Sequence, residues 1–280
     1  MWFPTEFDFK VIESWGLKER PLAAVDDYSH LKCEQRWLNP EQHEIYADYV
    51  MRRKEYVQKK DFDDYYRRAE KPIDRERWEY LMRRKAWYIM PLGWENIAKN
   101  GGVVADLGCG DGDTIQRLIE FVETYWQLEN IDNKKVHIVG LDLNKSRVEN
   151  AQNLVVCSNS NISVEFLQGD LVKVGLKYEN DYFDYSLCCG VLEILDDEQF
   201  DAFTNEMTRV TSQGIYIEDL FERFPGGFPR DTLGKELHQR GFVVTQRQVV
   251  LTEPFSKEKL QDPKKLWPML LVQNIWAENF

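Results

Sequence analysis

The stretch Ala105-Asp106-Leu107-Gly108-Cys109-Gly110-Asp111-Gly112-Asp113 governs the fold of this chain. The apolar run Val103 to Leu107 leads into the glycines, and Asp113-Thr114-Ile115-Gln116 leaves them like the start of a helix. A glycine turn between a strand and a helix suits a nucleotide-like ligand, because the backbone bends tightly and comes close where a Cβ would intrude. Its spacing separates ligand classes. The dinucleotide fingerprint needs glycine at its first, third and sixth positions, but the sixth residue is Asp113 counting from Gly108 and Ile115 counting from Gly110. No GK[ST] phosphate loop is present. Asp106, Asp111 and Asp113 crowd the turn with negative charge, which repels pyrophosphate and suits a cationic ligand carrying an amine and a sulfonium.

Downstream of the turn, strands and helices alternate. Ile115, Leu118, Ile119, Val122 and Tyr125 make one apolar helical face. Val136 to Leu141 reads as a second strand, Lys145 to Val155 as a helix and Val164 to Leu167 as a short third strand. Tyr182 to Cys189 and Gly214 to Glu218 read as a fourth and a fifth, with a helix from Asp197 between them. The polar stretch Gln127 to Lys135 reads as a loop. Such alternation predicts a parallel sheet covered on both faces. Two β-rich runs near the end, Phe242 to Thr252 and Met269 to Ala277, have no convincing helix between them and predict an antiparallel pair closing one sheet edge.

Asp106-x-Gly108-x-Gly110-x-Gly112 resembles the first motif of class I S-adenosylmethionine-dependent methyltransferases. The likeness continues in order through Leu141-Asp142, Gly169-Asp170-Leu171 and Phe183 to Leu195, and covers about Val103 to Phe280. It implies a Rossmann-like, seven-stranded, mostly parallel α/β sheet with an antiparallel C-terminal hairpin, and S-adenosyl-L-methionine as cofactor. The implied cofactor contacts are Asp106, Gly108, Cys109, Gly110 and Gly112 in the turn, with Asp142 on the ribose hydroxyls and Leu143 beside it. Asp170 and Leu171 would meet the adenine, and the backbone of Cys188 the methionine end. Asp184 is expected to anchor the fourth strand, whereas Glu218 and Asp219 end the fifth strand at the edge where such folds bind ligands. Two departures stand out. Gly112 to Asp142 spans 30 residues where about 20 are usual. Many relatives carry histidine after the fourth-strand glutamate, and Ile194 stands there instead. The nominees for a proton acceptor are therefore His30, Glu193 and Tyr28.

Residues 1–100 differ in character and are expected to form a helical extension capping a catalytic domain of residues 101–280. They hold Trp2, Trp15, Trp37, Trp78, Trp87 and Trp94. From Pro40 to Met90 they are rich in helix formers with aromatics at helical intervals, broken near Lys71-Pro72. Tyr28, His30, Trp87 and Tyr88 are candidate lid contacts. Residues 52–85 carry 13 Lys or Arg against 8 acids, a local excess of +5 in a chain of net charge −12. That stripe reads as a solvated helix face, or as a site where Arg83 or Arg84 holds an acidic substrate or the cofactor carboxylate.

The overall acidity disfavours a protein that grips long nucleic acid through its phosphates. No run of 18 apolar residues predicts a membrane span. The start, Met1 to Asp8, lacks the features of a secretory signal. Five scattered cysteines without a CxxC pair predict reduced thiols in a cytoplasmic compartment and no metal site. The expected function is methyl transfer to a small molecule. Two other readings stand beside it: an RNA methyltransferase, and a protein of this fold that binds the cofactor without methylating. Cys188-Cys189-Gly190-Val191 occupies the place of the Asn/Asp-Pro-Pro-Tyr stretch found in amino-methylating DNA enzymes.

Overall fold

The computed structural model describes residues 91–170, 177–192, 195, 197–220, 232–251 and 271–279, together with Arg75, Glu76 and Trp78. Its elements follow in order: α1 (Trp94–Asn100), β1 (Gly102–Leu107), α2 (Asp113–Glu129), β2 (Val136–Asp142), α3 (Lys145–Leu154) and β3 (Ile162–Gln168). Then come β4 (Phe183–Cys189), α4 (Asp197–Val210), β5 (Thr211–Leu220), α5 (Thr232–Gln239), β6 (Phe242–Leu251) and β7 (Leu271–Asn279). The strands form one sheet in the order β3-β2-β1-β4-β5-β7-β6. The first five run parallel, and β7 enters antiparallel to both β5 and β6. This is the expected Rossmann-like sheet with its antiparallel close.

Burial explains the order. Along β1, Val104 faces one core while Ala105 and Leu107 face the other. The first core lies under α1 and α2, whose Trp94, Ile97, Ile115, Leu118, Phe121 and Val122 pack on Val136, Ile138 and Tyr185. The second lies under α4 and α5, with Phe200, Phe203, Met207, Leu233 and Leu237 against Val139, Ile215 and Ile275. All five residues of the apolar face expected for α2 are buried. Strand order reverses between β2-β1 and β4-β5, so the ends of β1 and β4 open a crevice at the carboxyl edge of the sheet, where ligands of such folds bind.

Several elements differ from the expected ones. β3 reaches from Ile162 to Gln168 because β2 pairs with it residue by residue, from Val136↔Ile162 to Asp142↔Gln168. β5 extends to Thr211 and Leu220 because β4 and β7 flank it. Gln127 to Glu129, expected in a loop, complete the last turn of α2, which ends at Asn130 in the left-handed conformation that asparagine tolerates. Two short helices went unanticipated. α1 lies between Pro91-Leu92-Gly93 and Gly101-Gly102, and its Trp94, Ile97 and Ala98 are fully buried. α5 buries Leu233 and Leu237 ahead of β6. No described helix is long and apolar enough to cross a membrane.

Candidate cofactor site

The glycine turn hangs from the end of β2. Gly108 and Cys109 both donate their N–H groups to the Leu141 carbonyl, at 2.8 and 2.9 Å. The Asp142 carboxylate then accepts from Gly110 N through one oxygen and from Asn144 N through the other, each at 2.8 Å. Asn144 in turn caps α3 through a bond from Arg147 N to its Oδ1. One acidic side chain thus joins the turn after β1 to the start of α3. Within the turn, Gly112 N donates to the Cys109 carbonyl at 2.9 Å.

Sterics explain the glycines. Gly108 has φ 89°, and a Cβ there would sit 2.2 Å from Val191 Cγ2, so the residue after β4 closes directly onto the turn after β1. Beside Val191, Gly190 has no atom of the described residues within 4 Å of the position a Cβ would take. The carboxyl edge is therefore tight behind the turn, where Val191 meets Gly108.

The electrostatics are acidic. Asp106 is fully buried, Asp113 is nearly so and Asp142 is half-buried. Burial pushes the Cys109 thiol well above its ordinary pKa, and Asp106, Asp142 and Asp113 push it further, against a smaller opposing effect of Arg147. Asp111 behaves differently: its carboxylate accepts from Asn150 Nδ2 at 2.9 Å and lies 3.9 Å from Arg147 Nε, both on α3. It serves the fold.

The remaining expected residues divide. Leu143 is 50% exposed, an apolar side chain standing beside Asp142 at the carboxyl edge. Asp170 is half-buried just past β3, near enough to this edge to join the site. Cys188 has its side chain wholly in the core, leaving only its backbone for a ligand. Asp184 accepts from Val103 N at 2.8 Å and anchors β4 to β1, as expected. Glu218 and Asp219 are both buried at the carboxyl end of β5, and Gly190 N donates to the Glu218 carbonyl. Leu171, Tyr28, His30, Glu193, Trp87, Tyr88, Arg83 and Arg84 lie outside the described residues. Among the described residues no His, Cys, Asp or Glu cluster could hold a metal ion, and the four described cysteines are free thiols.

Two features left no trace in the motif. The Val191 wedge against Gly108 involves a residue identity that any apolar position shares. Trp78, from far upstream, donates its indole N–H to the Asp111 carbonyl at 3.2 Å. A tryptophan in a helical stripe signals core, and nothing in its spacing points to a backbone partner in the glycine turn.

A family model for a methyltransferase domain matches residues 98–239, half of the chain. No curated protein is a significant match. Among solved structures, a S-adenosylmethionine-dependent methyltransferase from Methanosarcina mazei is 16% identical, covers 69% of this chain and 98% of its own, and gives a TM-score of 0.49. Magnesium protoporphyrin IX methyltransferase from Synechocystis is 16% identical over 78% of this chain and 94% of its own, at 0.49. A candidate RNA methyltransferase from Pyrococcus horikoshii is 19% identical over 67% and 79%, at 0.47. With the matched segment running from α1 through α5 and containing the whole turn, the chain belongs to the methyltransferase-domain family, among the class I S-adenosylmethionine-dependent enzymes its glycine turn resembles.

Proposed function

We propose that this chain transfers a methyl group from S-adenosylmethionine to a small-molecule acceptor. The observation that carries the reading is the Asp142 carboxylate, held by Gly110 N and Asn144 N at the mouth of a negatively charged turn. A carboxylate offers about four lone-pair positions, so two remain for a pair of ribose hydroxyls. Leu143 offers an apolar surface next to it, suited to the adenine face. Asp106, Asp113 and Asp142 supply the field that favours a cationic ligand over a phosphorylated one.

The cofactor supplies the activated methyl group, and the protein's share is placement and exclusion of water. β2 holds the turn through Leu141 and Asp142, and Val191 beyond β4 closes on it at Gly108. Glu218 and Asp219 place two buried carboxyl groups at the neighbouring strand end, which supports a small acceptor over a phosphate backbone. The N-terminal part of the chain is proposed as the cap, with His30, Glu193 and Tyr28 as nominees for taking a proton from the acceptor. The scattered cysteine spacing of the sequence is the support for a reducing, cytoplasmic compartment.

Calorimetric titration with S-adenosylmethionine and S-adenosylhomocysteine tests the cofactor. Binding of either below about 100 µM is expected, and no heat from both at about 1 mM sinks the reading. Transfer of labelled methyl into a metabolite-sized fraction supports a small acceptor. Labelling of RNA instead, weakening steeply with salt, would replace it with the nucleic-acid reading.

A further inference from the structure

We propose that Trp78 is a positioning residue for the cofactor turn, holding the Asp111–Gly112 peptide of that turn through the Asp111 carbonyl. The proposal rests on the cofactor reading of the turn. The Asp111–Gly112 peptide has two polar ends. Its N–H, on Gly112, donates to the Cys109 carbonyl at 2.9 Å, and its carbonyl, on Asp111, accepts from Trp78 Nε1 at 3.2 Å. The unit is therefore clamped at both ends, one clamp inside the turn and the other 33 residues upstream. If that peptide rotated, the Gly112 N–H would leave Cys109 and the turn would lose the shape in which Gly110 N reaches Asp142.

Trp78 is itself firmly placed. It is 4% exposed and packs on Leu154 and Val155. The Arg75 guanidinium lies over its ring, 5.3 Å from the centroid, and donates to the Leu154 carbonyl at 2.6 Å. That carbonyl belongs to the last turn of α3, where a cation also meets the negative end of the helix dipole. Val155 completes the circuit, since a Cβ on Gly112 would sit 2.5 Å from Val155 Cγ2. The same indole thus meets the turn directly through its N–H at Asp111, and it backs Val155, which leaves no room for a Cβ on Gly112. A tryptophan that merely filled space would need neither the donor nor this acceptor. Indole is a donor only, and its ring has few rotamers, so the bond has one direction and little freedom.

The test uses the full chain with Trp78→Phe, which keeps an aromatic ring and removes the donor, and Trp78→Ala, which removes both. Three quantities are read: amide hydrogen exchange of residues 108–113 without ligand, affinity for S-adenosylhomocysteine, and melting temperature. Loss of one hydrogen bond of about 1 kcal/mol corresponds to about fivefold, so W78F should exchange the Gly112 amide about fivefold faster and bind about fivefold more weakly. Its melting temperature should stay close to that of the unaltered chain. Unchanged exchange and unchanged affinity in W78F overturn the proposal, even if W78A melts early or fails to fold, because Trp78 is then ordinary core. Should the unaltered chain bind no S-adenosylhomocysteine, the cofactor reading falls. The exchange of the Gly112 amide then still decides whether Trp78 holds the turn.

Discussion

The two ends of the sheet are built on opposite plans. At the amino end, side chains close on one another. Asp184 accepts from Val103 N and from Gln213 Nε2, Tyr185 donates to Gln213 Oε1, and Asn100 Nδ2 donates to the Tyr185 hydroxyl. Trp276 seals this end: its ring lies where a Cβ on Gly93 or Gly214 would be, stacks on Tyr185 and donates to Glu278. At the carboxyl end the contacts gather on the glycine turn. Asp142 holds the amides of Gly110 and Asn144, and Leu143 stands exposed beside it. The polar groups of the amino end fix strands to one another, whereas those of the carboxyl end fix the glycine turn.

Substitutions at each end should move different observables. The largest effect is expected for Trp276→Ala, which empties a fully buried indole site and should cost about 3–5 kcal/mol in urea denaturation. Affinity for S-adenosylhomocysteine should survive in the folded fraction; its loss without a change in midpoint would break the comparison. Next is Asp142→Ala. Removing a charged acceptor of ligand hydroxyls should weaken S-adenosylhomocysteine binding by about 100-fold, near 2.7 kcal/mol by calorimetry, with a smaller loss of stability. Asp184→Ala should do the reverse, lowering stability by about 1–2 kcal/mol while leaving the dissociation constant unchanged.

The smallest effect concerns Cys109. Its thiol pKa is raised in the folded state, first by burial and then by Asp106, Asp142 and Asp113, so the folded protein favours the protonated thiol. This contribution to stability is complete below the unfolded thiol value of about 8.5 and is lost as pH rises through the folded one. Urea midpoints for the unaltered chain should fall more between pH 7 and pH 10 than those of Cys109→Ser. Alkylation of Cys109 at neutral pH should also be slow until the protein unfolds. Rapid labelling of the folded state would show the thiol to be less buried than its place in the core implies.

What the sequence made legible was what repeats or what sterics make unavoidable. Alternating strands and helices, the five-residue face of α2 and the glycine turn all carry a period or a residue type that little else explains. Asp142 was legible as an acid ending the strand beside the glycine turn, where it holds Gly110 N and Asn144 N. α1 was not, since seven residues are too few for a helical period to show, and its burial depends on Trp276 from the far end of the chain. β3 and β5 were read short because their outer residues owe their extended form to neighbouring strands rather than to β-branching. Trp78 was classed with the other N-terminal aromatics because a bond to a backbone carbonyl imposes nothing on the identity of its partner.

The position of β7 bears on how the molecule comes into being. The strand latest in the described chain lies between β5 and β6, not at the rim. As a nascent chain leaves the ribosome, β6 therefore appears before the strand that joins it to the sheet. Until residues 271–279 emerge, β5 and β6 lack the strand that pairs with both among the described residues, and Tyr185 lacks the Trp276 ring that stacks on it. Synthesis is vectorial, but closure of this sheet is a late, long-range event, and the interval before it is when the chain is most exposed to aggregation and most in need of a chaperone.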